Sequence, residues 1–237
     1  MAKPLMIALD FPSGEEALAF LSRFDEPSKL TVKVGMELFY EEGPSIIEKI
    51  KALGCDIFLD LKLFDIPNTV KQASKRLAKL GVNYMTVHGL GGSEMIAAAR
   101  EGLDEGAKEA GVEAPTLLAV TELTSISDDV LKNEQNVDLP MKEMVLSLAR
   151  TARGAGADGV VCSSQELETL NNALDDGFFY LVPGIRLPED GVQDQKRVAS
   201  PTFARENGAS AIVVGRPITK NAYVKEAYDR YLSDWEG

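Results

Sequence analysis

Residues 57–87 read IFLDLKLFDIPNTVKQASKRLAKLGVNYMTV, and the hydrophobic period changes twice along them. Ile57 to Leu61 is an apolar, strand-length run interrupted only by Asp60, and Val70, Ala73, Leu77 and Leu80 then recur at helical spacing. Tyr84 to Val87 returns to a short β-rich run. Pro67 stands where a first-turn proline is tolerated, and Gly81 falls just past the last periodic residue, the punctuation expected of a helix. Strand, helix and strand in this order predict a βαβ unit, which joins two parallel strands.

The same pattern extends in both directions. Strands are predicted at Leu5 to Leu9, Thr31 to Val34, Ile57 to Leu61, Tyr84 to Val87, Leu117 to Val120, Gly159 to Cys162, Phe178 to Val182 and Ala211 to Val214, each followed by a helix. Further helical faces are Ile46, Ile47, Ile50 and Leu53; Met141, Met144, Val145 and Leu148; and Tyr223, Ala227, Tyr228 and Tyr231. Pro140, Pro201 and Pro217 mark helix starts, and Gly54, Gly111, Gly156 and Gly208 mark helix ends. Strands that are apolar throughout, rather than alternating, imply a parallel sheet covered on both faces.

Eight βα units in 237 residues predict a (β/α)8 TIM barrel, a single catalytic domain over residues 1–237, because that fold typically takes about 250 residues. The competing arrangement is an open doubly wound sheet, but LDFPSGEEA after the first strand lacks its Gly-rich fingerprint. The polar, irregular stretch from Thr121 to Leu139 reads as a loop insertion after the fifth strand.

Composition narrows the partners. With 25 basic and 37 acidic residues the net charge is −12, which argues against a nucleic-acid polymer or an anionic membrane surface as partner. No apolar stretch approaches the roughly 18 residues of a membrane span. The run Leu5 to Leu9 is too short for a signal peptide, so a cytoplasmic protein is expected. Cys55 and Cys162 lie far apart in no metal-binding pattern and are predicted to be core residues.

In a (β/α)8 barrel the functional residues stand at the C-terminal ends of the strands. Those positions here carry Asp10, Lys33, Asp60 with Lys62, His88, Thr121 with Thr124, Cys162 with Ser163, Pro183 to Arg186, and Gly215 with Arg216. The densest group runs from Asp60 to Asp65. On an extended strand Asp60 and Lys62 share a face and enter the barrel mouth, with Lys33 within reach from the neighbouring strand. Lysines alternating with aspartates offset their own charges and keep an ammonium ready as a proton donor; a structural salt-bridge network is the other reading of the same residues.

Gly215, Arg216 and Pro217 follow a strand and open a helix, and Arg186 follows the preceding strand, a combination suited to a phosphate. His88, the sole histidine, reads as a packing or hydrogen-bonding residue, and no GxSxG nucleophile motif is present. Carboxylates interleaved with lysines are poor metal ligands, so no metal is expected.

The sequence resembles the orotidine 5′-monophosphate decarboxylase family nearly end to end. The resemblance is carried by KVGMELF from Lys33, DLKLFDIPNT from Asp60 to Thr69, TELTS from Thr121, PGIR from Pro183, DQKRV from Asp194 and IVVGRPIT from Ile212. It implies decarboxylation of orotidine 5′-monophosphate to UMP without a cofactor, in a homodimer with shared active sites. Carried over by position, Lys62 delivers a proton to C6 of the pyrimidine, with Lys33, Asp60 and Asp65 as the charged array. Asp65 and Thr69 cross into the partner's site; Asp10 and Lys33 contact the ribose; Thr124 meets the pyrimidine edge. Arg186, Gln195, Gly215 and Arg216 hold the phosphate, Ile66 and Pro183 complete the substrate-binding set, and Pro183 to Ser200 resembles the family's closing phosphate loop. Phe64 and Ser200 depart from the His and Thr of many bacterial relatives.

Two other readings share parts of this pattern. A metal-dependent sugar-phosphate decarboxylase or synthase of the same superfamily would keep DxKxxD but need a Mg²⁺ site, and a non-catalytic phosphometabolite sensor would have no use for a lysine between aspartates.

Overall fold

The computed structural model describes residues 3–174, 177–188, 190 and 198–237. Its eight strands are β1 (Leu5–Ala8), β2 (Thr31–Gly35), β3 (Asp56–Leu63), β4 (Tyr84–His88), β5 (Thr116–Val120), β6 (Gly159–Val161), β7 (Phe179–Val182) and β8 (Ala211–Val214). Each pairs in parallel with the next. β8 returns to β1 through Leu5–Ile212, Met6–Val213 and Ile7–Val214, closing the sheet into a barrel and so pairing every strand on both sides. The (β/α)8 barrel is the observed fold, and the open doubly wound sheet is excluded.

Helices fill the crossovers. α1 (Gly14–Leu21) follows β1; α2 (Met36–Glu42) and α3 (Ser45–Ala52) follow β2; α4 (Pro67–Ala78) and α5 (Gly92–Ala110) follow β3 and β4. α6 (Asp128–Asn133) and α7 (Met141–Gly154) follow β5, α8 (Leu167–Ala173) follows β6, and α9 (Pro201–Glu206) follows β7. α10 (Arg216–Thr219) and α11 (Val224–Glu236) complete the ring.

The strands are apolar on both faces because both are buried. Met6, Phe58, Leu118, Leu181 and Val213 form one cluster filling the barrel, with Tyr84 and Phe179 packed against it at 5.7 Å between ring centroids. Alternate residues such as Leu5, Ile7, Val32, Ile57 and Met85 belong to the larger core between sheet and helices. Pro67 is the first residue of α4, and Gly81 follows its C-terminal end at φ +65°, with its N–H on the Ala78 carbonyl at 3.0 Å.

The stretch from Thr121 to Leu139 differs from a plain loop. It contains α6, capped by the Ser127 side chain on the Val130 N–H and anchored by buried Leu131. A helix of six residues shows less than two turns of period, too little to stand out from a polar sequence.

Candidate active site

A cavity of about 1010 Å³ opens at the C-terminal ends of the strands, at the upper end of the roughly 300–1,000 Å³ usual for small-molecule sites. Every strand end except that of β4 contributes to its lining. Among the described residues lining it, the basic side chains are Lys33, Lys62, Arg186, Arg216 and Lys220, and the acidic ones are Asp10, Glu16, Glu37, Asp60 and Glu122. A chain of net charge −12 therefore builds a locally balanced pocket in which an anion can be held.

The ends of β1, β2 and β3 carry the charged array. Lys62 Nζ donates to Asp60 Oδ2 at 2.7 Å, Lys33 Nζ donates to Asp10 Oδ1 at 2.8 Å, and Lys33 Nζ stands 4.0 Å from Asp60 Oδ2. One carboxylate oxygen thus faces two ammonium groups. Asp60 is held so by its place in β3, one step beyond Phe58 on the inward face, while register aligns Lys33 with Phe58.

The strand does not reach Lys62 by regular alternation. Leu59 pairs with Met85 and Leu63 with Val87, so four steps of β3 span two of β4 and β3 bulges between them. Lys62 takes the left-handed conformation, φ +50°, which in a residue with a side chain costs of order 1–3 kcal/mol. Asp60 and Lys62 both line the cavity, as expected from the sequence, although the strand that carries them is interrupted by this bulge. Thr86, which fills the bulge from β4, gives no signal in the sequence because MTVH there reads as an ordinary strand. Buried Glu122 and exposed Lys220 of the cavity wall likewise give no separate signal.

Across the barrel, Pro183, Gly184 and Arg186 line the cavity after β7, and Gly215 and Arg216 line it after β8. The β7 loop is pinned where Arg186 N–H donates to the Ala199 carbonyl at 2.9 Å. Arg186 is 7% exposed, and its Nη1 donates to the Ile185 carbonyl at 2.7 Å. The Tyr231 hydroxyl accepts from Leu187 N–H at 3.0 Å and donates to Asp190; burial and Asp190 push its pKa up.

Of the residues singled out in the sequence, Asp10, Lys33, Asp60, Lys62, Thr124, Pro183, Arg186, Gly215 and Arg216 meet in this cavity. Asp65, Ile66 and Thr69 do not line it and are exposed; the Asp65 carboxylate caps its own loop by accepting from Ile66 N–H at 2.7 Å. Gln195 and most of DQKRV lie outside the described residues.

His88 accepts from Leu90 N–H at 3.3 Å and stacks on Phe64 at 5.6 Å between centroids, so Phe64 serves as its aromatic partner. Burial, and then the charge of Lys62, hold its pKa below the ordinary imidazole value. Ser200 caps α9 by accepting from Phe203 N–H at 3.1 Å, a bond that threonine makes equally well. Among the described residues no group of three or more His, Cys, Asp or Glu side chains is arranged to hold a metal ion.

Over residues 3–231 the sequence matches the family described as Orotidine 5′-phosphate decarboxylase / HUMPS. The chain belongs to this family. It is 54% identical over 229 residues to the orotidine 5′-phosphate decarboxylase of Lactobacillus acidophilus, covering 97% of each chain. It is 52% identical over 231 residues to that of Bacillus pumilus, covering 98% of each. The crystal structure of the Lactobacillus acidophilus orotidine 5′-phosphate decarboxylase matches the fold with a TM-score of 0.90 at 50% identity over the whole of both chains. The decarboxylase relatives thus extend over the strand ends that form the charged array as well as over the two arginine loops.

Proposed function

We propose that the chain converts orotidine 5′-monophosphate to UMP and CO2, the last step of UMP biosynthesis, with Lys62 as the proton donor. The observation that carries this reading is the Lys62–Asp60–Lys33 array, set across the cavity from two arginine-bearing loops in a chain whose relatives are named for this reaction.

The chemistry sets the requirement. Breaking the bond from C6 to its carboxylate releases CO2 and leaves the electron pair on C6, a vinyl carbanion with no carbonyl placed as a simple sink. The Lys62 ammonium stabilises that charge and then gives its proton to C6, forming the C–H bond of UMP; water restores the proton to the amine. Rate enhancements of demanding reactions need up to about 23 kcal/mol, more than one ammonium supplies, so binding at the phosphate must hold the reacting carbon against Lys62. Arg186, Gln195, Gly215 and Arg216 are proposed for the phosphate, with Pro183 beside them, Asp10 and Lys33 for the ribose, and Thr124 for the pyrimidine edge. No step of this sequence calls on a cofactor or a metal.

The active unit in this reading is a homodimer. Support comes from one rim, where Tyr40, Phe64 and Ile66 are 72%, 61% and 68% exposed beside exposed Met36 and Leu90. A second copy covering these residues would receive Asp65, Ile66 and Thr69 into its own cavity. A cytoplasmic setting suits two buried cysteines that form no disulfide, Cys55, whose pKa burial pushes up to about 11, and Cys162.

The test is turnover of orotidine 5′-monophosphate by the purified protein in EDTA, followed by loss of ultraviolet absorbance. Turnover is expected, whereas binding without turnover overturns the decarboxylase reading. Lys62→Ala is expected to abolish product while still binding UMP, and normal turnover by that variant removes Lys62 from its role.

A further inference from the structure

We propose that Thr86 is a positioning residue for the decarboxylation, fixing through one hydroxyl both the Asp60 carboxylate and the backbone of Lys62. The proposal rests on the assignment of Lys62 given above. Thr86 is fully buried, and it lies on β4, the one strand whose end does not line the cavity. It acts on the site from behind.

A hydroxyl carries one proton and two lone pairs, and both functions are used here. Thr86 Oγ1 donates to Asp60 Oδ1 at 3.0 Å, and the same oxygen accepts from Lys62 N–H at 2.9 Å. The first bond fixes the rotation of the carboxylate, leaving Oδ2 to face Lys62 Nζ at 2.7 Å and Lys33 Nζ at 4.0 Å. The second replaces the ladder bond that the bulge removes from β3. An N–H without a partner at that depth is costly, so the Thr86 oxygen is what makes the left-handed turn at Lys62 tenable. Bulge, strained lysine and oriented carboxylate are three consequences of one side chain.

A group that only packs the barrel would be replaceable by any residue of its shape. Thr86→Val keeps the shape and removes the hydroxyl; Thr86→Ser keeps the hydroxyl. We expect Thr86→Val to lower kcat about 10- to 100-fold, the effect of misplacing a reacting group by a fraction of an ångström to 1 Å. The KM for orotidine 5′-monophosphate and the affinity for UMP, set mainly at the phosphate side, should stay unchanged. Thr86→Ser should return kcat to within a few-fold of the parent, as expected where the hydroxyl alone matters. Circular dichroism and UMP titration establish that each variant is folded, and Thr86→Ala carries the same expectation if the valine variant does not fold. Parent-like kcat in Thr86→Val, parallel loss of kcat and UMP affinity, or a serine variant as slow as the valine one each overturns the proposal. Lys62→Ala in the same assay separates the two readings. If it turns over normally, the assignment of Lys62 fails; if it is inactive and Thr86→Val behaves like the parent, only the role of Thr86 fails.

Discussion

Gly102→Ala, in the middle of α5, should destabilise the fold although alanine is the better helix former. A Cβ built on Gly102 lies 2.2 Å from the carbonyl oxygen of Lys71 in α4, 3.0 Å from its carbonyl carbon and 3.2 Å from its Cα. All three are backbone atoms, so no side chain can swing aside. Lengthening the closest contact from 2.2 Å to the shortest tolerable 3.0 Å requires α4 and α5 to part by about 0.8 Å. The helices are also tied by Lys71 to Glu101 and Glu105 and by Lys75 to Glu105 and Glu109, at 2.6 to 3.1 Å. Replacing glycine gains about 1 kcal/mol of helix propensity. A 2.2 Å contact with backbone puts the overpacking cost in the upper part of the usual range, about 2–3 kcal/mol, leaving a net loss of about 1–2 kcal/mol. For a chain of this length that lowers Tm by about 2–8 °C. Gly154→Ala is the internal control: Gly154 ends α7, and a methyl group added there would meet nothing within 4 Å, so the same change should raise Tm slightly. Differential scanning calorimetry reads both. A Gly102→Ala protein melting at or above the parent temperature refutes this reasoning, because propensity would then outweigh the contact. The contact matters for function because α4 begins at Pro67, between Asp65 and Thr69.

The depressed pKa of His88 makes stability depend on pH with a definite sign. Below its ordinary value of 6.5 the unfolded chain binds a proton that the folded chain refuses until lower pH, so His88 contributes stability above 6.5 that is lost as pH falls towards the folded value. With one histidine in the sequence, His88→Asn should flatten the Tm profile as pH falls below 6.5, and an unchanged slope rules the histidine out. Subunit mixing tests the shared site. Lys62→Ala and Asp65→Ala homodimers should each be nearly inactive, yet mixing them should restore about a quarter of parental activity in a statistical population, since half the dimers are mixed and one of their two sites is intact. No recovery on mixing, with subunit exchange shown by light scattering of tagged protein, places Asp65 in its own chain's site.

Much of this architecture was legible in the sequence because period and punctuation are local properties. Strand runs of four or five apolar residues, helical faces such as Val70, Leu77 and Leu80, and glycines at 81 and 111 report backbone conformation without reference to partners. Asp60, Lys62, Arg186 and Arg216 were legible too, because a charge abutting an apolar strand stands out and barrel topology sends every strand end to one rim.

What depends on a neighbour's register is fixed only in the folded chain. Alternation alone puts Asp60 and Lys62 on one face of a straight strand, but β4 offers two residues against four of β3, and the strand bulges. Thr86 is unremarkable in MTVH until the bulge puts its hydroxyl between Asp60 and the Lys62 N–H. Gly102 reads as a weak helix position until the Lys71 carbonyl is found against it. Local pattern was enough to specify the barrel and the charges at its mouth. How those charges are aimed was settled in three dimensions, because aim is set by hydrogen bonds and contacts between strands and helices far apart along the chain.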